Sequence, residues 1–436
     1  MHSRTFLKVP LRLSTLPSLV SSLLALFSNF CPYNTLLIQI FFSPKGTGAV
    51  GKALLNQLSG LNRASAEVGY NVVLIAPSSS SPGVQERSIV TKNFAPINLQ
   101  SWNVSEDVGT NSHHLTRAIT STGDVAEFLE RSKRPVILVD TTGALDNQEP
   151  GAENELVLAQ SYPLLADQGI SIVSANKTPF ALESGLWNSI FRRPTRGTAK
   201  RGLVQFSATV GSGLPVTGIL QDMMQTGDTV RSIQGVLTSP LSYIFNQYSQ
   251  PGFASGDGSA KNETPRPSFS QVVREAVATG YVPNDPRLIL SGLQAAQQFT
   301  ILTRTVGLKV ENSHSFAVRN LTPKPLREAE TVADLLEKLP KYDSVLEKLR
   351  TKAEKENKVI RYVGTAKLGV DNSSLEVGIE SFDVNHPFAR LKNDEICLSV
   401  TSDRYTEPIV IKGPGSNPEA SASRILSDIF KLSQKL

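Results

Sequence analysis

Cysteine is nearly absent. Two residues in 436, Cys31 and Cys397, exclude a disulfide framework, and no C-x-x-C pair offers a zinc or redox site. A reducing compartment is the default. A dominant charge is also missing. Lys+Arg 44 against Asp+Glu 39 leaves +5, too small an excess on this length for a nucleic-acid footprint. Serine and proline break every apolar window of about 18 residues, so no membrane-spanning helix is expected. What is present is ordinary for a globular chain: 40% hydrophobic and 19% charged residues, on a length sufficient for two domains.

Acidic residues are missing before Glu67, and the first 45 residues differ from the rest. His2, Arg4, Lys8 and Arg12 precede a Leu/Ser run. This reads as an organelle presequence, a signal peptide interrupted by Pro17, or a mis-assigned gene start. Without such an address the chain is expected in the cytoplasm.

Residues 46–58, GTGAVGKALLNQL, match G-x-G-x-x-G through Gly46, Gly48 and Gly51. The first glycine suits a tight turn, the second a close backbone approach to a pyrophosphate, the third the packing of helix on strand. The helix that follows carries Ala53, Leu54, Leu55 and Leu58, and its N-terminus favours phosphate. NVVLIA (71–76) is a clear second strand. LLIQIFF (36–42) is an imperfect first one, because Ser43-Pro44-Lys45 separates it from the glycines.

The alternation continues. Val125 to Ser132 and Leu156 to Gln168 read as helices, PVILVD (135–140) and ISIVSAN (170–176) as buried strands. Continuous aliphatic strands alternating with helices predict a covered parallel sheet. Asp140-Thr141-Thr142 and Asn176-Lys177 stand at strand ends, where ligands bind in open α/β sheets. Beyond residue 200 the elements come in blocks. LVQFSATVG (203–211), VRSIQGVLT (230–238), KVIRYVGTA (358–366), SLEVGIESF (374–382), EICLSV (395–400) and EPIVIKG (407–413) read as strands. LPVTGILQDMMQTG (214–227) and LSYIFNQYS (241–249) read as helices, and 249–268 as a Gly/Ser/Pro loop. Residues 280–298 lead from a Pro/Asn/Asp turn into helical spacing at Leu290, Leu293, Ala296 and Phe299. The last segment places Ile425, Ile429 and Leu432 on one helical face. The predicted fold class is α/β: a Rossmann-like nucleotide-binding domain followed by an α+β domain.

From Gly46 onward the chain resembles the homoserine dehydrogenase family, through GTGAVG, PVILVDTT, GISIVSANKTPF, ATVGSGLP, QTGD, LSYIFN and NHPFARL taken in order. The resemblance implies an NAD(P)-dependent oxidoreductase that interconverts aspartate semialdehyde and homoserine by hydride transfer. It also implies a dimer, formed by a second domain that binds substrate as well. The expected organisation is an atypical extension over 1–45, a nucleotide-binding domain over 46–200, a dimerisation and substrate domain over 201–412, and a final helix over 413–436 packing back on the first domain.

The resemblance assigns the cofactor to Gly46, Thr47, Gly48, Ala49, Val50 and Gly51, with Thr142 and Lys177. The second strand ends Ala76-Pro77-Ser78, with no acid for a ribose 2′-hydroxyl, which favours NADP while leaving NAD open. Ser78 to Ser81, Arg87 and Lys92 are candidates for a 2′-phosphate. The substrate side departs from the family. Pro283 stands where the family has a glutamate, Ile289 and Gln294 where it has acids or substrate contacts, and Gln298 where it has its catalytic lysine. No lysine occurs between Lys261 and Lys309, so a slip of one turn in alignment does not restore it. Asp285 is the nearest acid able to stand in at 283. The loop resembling a monovalent-cation site keeps backbone carbonyls at Val210, Ser212 and Leu214, but its glutamate is Ser207.

An amide cannot exchange a proton at neutral pH. Losing general acid–base help costs about 10²–10⁴ in rate, and each lost charged hydrogen bond about 1.5–3 kcal/mol. Efficient homoserine oxidation is therefore not expected. Three readings remain: an NADP-dependent oxidoreductase for a substrate less polar than homoserine, with Lys177 as the surviving acid/base; an inactive paralogue that binds nucleotide and regulates or pairs with an active relative; or a slow homoserine dehydrogenase. The partners expected are a small-molecule substrate and either a second copy or an active paralogue, with neither nucleic acid nor membrane.

Overall fold

The computed structural model describes residues 36–42, 49–64, 70–77, 88–91, 114–117, 135–142, 152–193, 200–251, 266–369 and 372–436. Two sheets organise them. The first contains β1 (Leu36–Phe42), β2 (Tyr70–Pro77), β3 (Ser88–Thr91), β4 (His114–Arg117), β5 (Val136–Asp140), β6 (Ser171–Ser174) and β7 (Val204–Gln205), in the order β4-β3-β2-β1-β5-β6-β7. β1 pairs in parallel with both β2 and β5, so the run that looked imperfect in sequence is an interior strand of the sheet. β5, β6 and β7 continue in parallel, whereas β3 and β4 are antiparallel additions at one edge. All five residues of β5 are buried, as a strand covered on both faces requires.

Helix α1 (Ala49–Ala64) buries Ala53, Leu54, Leu55 and Leu58 against Ile425, Ile429 and Leu432 of the final helix. The C-terminal segment thus covers the first sheet. Helices α2 (Ala152–Asp167), α3 (Thr178–Ala181) and α4 (Ser184–Ile190) belong to the same half. The helix expected over 125–132, most of the 249–268 loop, and the residues at 78–81, 87 and 92 lie outside the described residues.

The second sheet has the order β13-β12-β8-β10-β11-β9, built from β8 (Val230–Val236), β9 (Ala317–Val318), β10 (Lys358–Lys367), β11 (Ser374–Asp383), β12 (Ile396–Ser402) and β13 (Ile409–Gly413). It is antiparallel except where β9 joins β11. One face carries Ile233, Tyr362, Ala366, Leu398 and Val400 into the main hydrophobic core. That core also takes side chains from α5 (Val216–Gln225), α6 (Ser239–Tyr248), α7 (Phe269–Ala278), α8 (Arg287–Leu290) and α9 (Leu293–Thr305). Helices α10 (Val332–Lys338) and α11 (Asp343–Lys355) precede β10, and α12 (Pro418–Ser433) closes the chain.

Two expectations change in detail. The strand read over 203–211 is only two residues long, followed by a 3-10 turn at Ser207–Thr209. Ser207 gives both its N–H and its hydroxyl to the Asp428 carboxylate, each at 2.9 Å, which draws the backbone out of the ladder. The helical pattern after residue 286 is two helices, because Gly292 adopts φ 78° between them. A Cβ there would sit 1.9 Å from Tyr362 Oη, so only glycine fits.

Candidate functional site

The strand order of the first sheet reverses at β1, between β2 and β5. Ligands of open α/β sheets bind at such a point, beyond the carboxyl ends of the strands. A cavity of roughly 730 Å³ lies there, a size suited to a small molecule or part of a cofactor. Its floor comes from Val50 of α1, Thr141 and Thr142 after β5, and Ala175 and Lys177 after β6. Its other walls come from Thr238 to Pro240 at the start of α6, Tyr281, Gln294 and Gln298 of α9, Asp394, and the turn from Gly415 into α12.

A buried polar network sets the floor. Asp140, fully buried at the end of β5, accepts from Thr142 N–H at 2.8 Å and Thr142 Oγ1 at 2.6 Å. Its other oxygen accepts from Tyr162 Oη at 2.6 Å and Asn176 Nδ2 at 3.4 Å. Asn176 Nδ2 also donates to Thr142 Oγ1 at 2.9 Å, and Asn176 Oδ1 accepts from Thr178 N–H at 2.9 Å. One carboxylate therefore ties the loop after β5 to the loop after β6. Burial, and then the Asp140 charge, raise the Tyr162 phenol well above its ordinary range, so it stays a donor.

Lys177 follows directly on that network. It lines the cavity, and no hydrogen bond or ion pair joins its ammonium to a described residue. Desolvation alone pulls its pKa below the usual lysine value, which brings it toward the range of a working acid/base.

The cofactor and substrate residues named from the sequence are placed unevenly. Val50, Thr142, Lys177, Gln294 and Gln298 all line the cavity. Ala49 and Gly51 open α1, while Gly46, Thr47 and Gly48 lie outside the described residues. Two of the named positions lie away from it. Pro283 is exposed and does not line the cavity. Ile289 is 3% exposed and packs in the main core, where its aliphatic side chain belongs. Asp285 does not stand in for the acid at 283, because it is held by Arg287 through both oxygens and is absent from the cavity wall.

Gln298 is 5% exposed and forms no side-chain hydrogen bond with any described residue. Gln294 likewise has no side-chain partner among the described residues. Two amides thus face the cavity where charged groups were expected from the family pattern.

The loop of Val210, Ser212 and Leu214, read as a cation site through its backbone carbonyls, receives no carboxylate from position 207. Ser207 is bonded to Asp428, whose Oδ1 also accepts from Lys431 at 3.1 Å. The Leu214 carbonyl accepts from Val216 N–H at 2.8 Å. No carboxylate in this loop is free to meet a cation, and the Ser212 hydroxyl pairs with the Ser421 hydroxyl at 2.8 Å.

Sequence reading missed Asp394. Its Oδ2 accepts from Ser239 Oγ at 2.9 Å and Ser416 N–H at 3.0 Å. Lys177 and Asp394 are the charged side chains among the described residues lining the cavity. Nothing local marks Asp394, which sits in a polar turn before β12; only the meeting of three distant segments brings it to the wall.

Comparison with known proteins agrees with this fold. The family model for homoserine dehydrogenase matches residues 215–430. The chain is 37% identical over 396 residues to homoserine dehydrogenase of Saccharomyces cerevisiae, covering 90% of this chain and 97% of that one. It is 34% identical over 391 residues to the Schizosaccharomyces pombe enzyme, covering 89% and 93%. A crystal structure of a Candida auris protein of unknown function aligns at 35% identity and TM-score 0.76, over 91% of this chain and 98% of that one. A hyperthermophilic archaeal homoserine dehydrogenase in complex with NADPH aligns at TM-score 0.58 and 18% identity, over 92% and 98%, a likeness of fold.

Proposed function

Because this chain belongs to the homoserine dehydrogenase family, we propose that it is an NADP-linked oxidoreductase acting on a small aldehyde or its alcohol, but not efficiently on homoserine. The observation that carries this reading is the pair of amides, Gln294 and Gln298, that have no side-chain partner among the described residues and line the same cavity as Lys177.

The cofactor, NADP or NAD, would supply the hydride acceptor or donor. Val50 and the N-terminus of α1 face the end where its phosphates belong, and Thr142 offers a hydroxyl oriented by Asp140. Lys177 takes the proton of the alcohol during oxidation and returns it to the carbonyl oxygen during reduction. Desolvation favours this, since a neutral amine is accessible to it nearer physiological pH than to an exposed lysine. Gln298 donates or accepts a hydrogen bond and leaves the proton inventory unchanged.

The same reading divides the chain into a nucleotide-binding part (46–200), a substrate and dimerisation part (201–412) and a closing helix (413–436), assembled as a homodimer in the cytoplasm. Among the described residues no helix is long and apolar enough to cross a membrane.

The test is NADPH oxidation with aspartate semialdehyde by the parent chain and by the Gln294→Asp/Gln298→Lys double variant. The parent is expected to turn over at least about 10²-fold more slowly than the restored variant, the lower bound for lost acid–base help. Parent turnover at ordinary rates, about 1–10³ s⁻¹, refutes the altered-substrate reading. If NADPH binds, seen as a fluorescence change, and a panel of small aldehydes gives no oxidation, the chain is instead a nucleotide-binding partner of an active relative.

A further inference from the structure

We propose that Arg304 is a positioning residue for Lys177: its guanidinium pins the end of α3, the short turn that begins at Lys177, onto α9, the helix that carries Gln294 and Gln298. This rests on the reading of Lys177 as the group that exchanges the substrate proton.

Arg304 is 7% exposed, and its hydrogen bonds all go to main-chain carbonyls. Nη1 donates to Phe180 at 2.7 Å and Nη2 to Leu182 at 2.6 Å. Nε and Nη2 donate to Val310 at 3.1 and 2.9 Å, and Nη2 also to Glu311 at 2.6 Å. The guanidinium carbon stands 5.8 Å from the centre of the Trp187 ring. Burial pulls the group down to about 10, with Glu311 and Glu183 opposing, so it stays charged at neutral pH. Helix α3 is only four residues long, all buried, and so short a helix leaves its last carbonyls without partners of its own. Arg304 takes those of Phe180 and Leu182, and Ser313 Oγ donates to that of Ala181 at 3.3 Å. Three successive carbonyls are thereby held from the second half of the molecule.

Lys177 therefore stands between two anchors. On one side Asn176, a member of the Asp140 network, accepts from Thr178 N–H at 2.9 Å. On the other the Lys177 carbonyl accepts from Phe180 N–H at 3.1 Å, and the Phe180 carbonyl is bonded to Arg304. The first anchor ties the lysine to the parallel sheet, the second to α9. The second sets where Lys177 stands relative to Gln294 and Gln298, which line the same cavity. A lysine at 304 keeps the charge but presents three donors in place of a planar fork, so it cannot hold four carbonyls at once. The turn that begins at Lys177 then loosens, and water reaches an amine that burial keeps dry in the parent. Arg361 is a control within the same molecule. It is 1% exposed and donates to the carbonyls of Phe245, Ser249, Ile360, Phe388 and Ala389, none of which lines the cavity.

Trace acetylation of the full chain with acetic anhydride across a pH series, read by mass spectrometry on the peptide that holds Lys177, follows the amine directly and needs no substrate. Arg304→Lys is expected to raise the midpoint pH of Lys177 by at least about 0.5, because the desolvation that depresses it is relieved. Arg361→Lys is expected to lose stability to urea as well, yet to leave that midpoint within about 0.2 of the parent. A midpoint unmoved in Arg304→Lys, or moved as far by Arg361→Lys, overturns the proposal. If Arg304→Lys does not fold, Ser313→Ala loosens the same joint by one hydrogen bond. A rise of at least about 0.3 in that variant then supports the proposal, and no rise overturns it. NADPH oxidation with a panel of small aldehydes is measured separately. A raised midpoint with no turnover in the parent leaves Arg304 in its role and removes the proton-exchange reading; parent turnover that survives unchanged in Arg304→Lys does the reverse.

Discussion

Replacing Asp140 by Asn removes one charge from the floor of the site and converts one acceptor into a donor. The new amide oxygen keeps the Thr142 N–H and hydroxyl, at 2.8 and 2.6 Å in the parent. The new NH₂ faces the Asn176 NH₂, which donates to Asp140 at 3.4 Å in the parent, and the Tyr162 hydroxyl must turn to accept. Hydrogen bonds to a charged group are worth about 1.5–3 kcal/mol, against about 0.5–1.5 for neutral pairs. Three close bonds therefore lose about 3–4 kcal/mol together. Neutralising a buried carboxylate with no cation beside it returns part of that as relieved desolvation. The net expectation is about 1–3 kcal/mol of destabilisation, within the usual range for a broken buried network. Urea unfolding followed by Trp187 fluorescence measures it. That ring packs against Phe180, Phe191 and Phe206 at 6.3, 4.5 and 5.6 Å between centroids, in the same half of the molecule. NADPH affinity is expected to fall about tenfold, 1.4 kcal/mol, as Thr142 and the Lys177 loop lose their common tether. A variant within about 0.5 kcal/mol of the parent, binding NADPH equally well, refutes the argument that this network positions the site.

Lys177→Met is expected to lower NADPH-dependent turnover by about 10²–10⁴. It should also change the pH dependence of stability. The folded pKa of Lys177 lies below the unfolded value near 10.5, so the folded chain binds fewer protons and parent stability rises with pH between the two values. The methionine variant is therefore more stable than the parent at neutral pH, and its advantage shrinks as pH approaches 10.5; denaturation at pH 7 and pH 10 checks the sign. Gly292→Ala meets both a positive φ of 78° and a contact of 1.9 Å with Tyr362 Oη, and should cost about 2–4 kcal/mol in urea unfolding.

Much of the fold was legible because it depends on local periodicity. β5 and β6 are runs of aliphatic residues between polar ends, and both are buried strands where expected. The final helix buries Ile425, Ile429 and Leu432, the face its spacing marked. Where sequence reading went astray, a long-range hydrogen bond or a backbone angle intervened. The strand after residue 202 stops early because Asp428, more than two hundred residues away, takes Ser207 from the ladder. The Pro44 break made 36–42 look doubtful, yet register with two neighbours places it inside the sheet.

The site divides in the same way. Residue identity alone established that positions 294 and 298 carry amides, that no lysine lies near them in the chain, and that Lys177 follows a strand end, since these are facts of chemistry and spacing. Only the tertiary structure decided which of these groups share a cavity. It left Ile289 in the core and Pro283 at the surface, and it brought in Asp394 from a turn that carries no local signal. Periodicity reports which face of an element is buried, but it cannot report which distant carboxylate will meet that face. That pairing depends on how two sheets and a closing helix pack, and packing sums contacts over the whole chain.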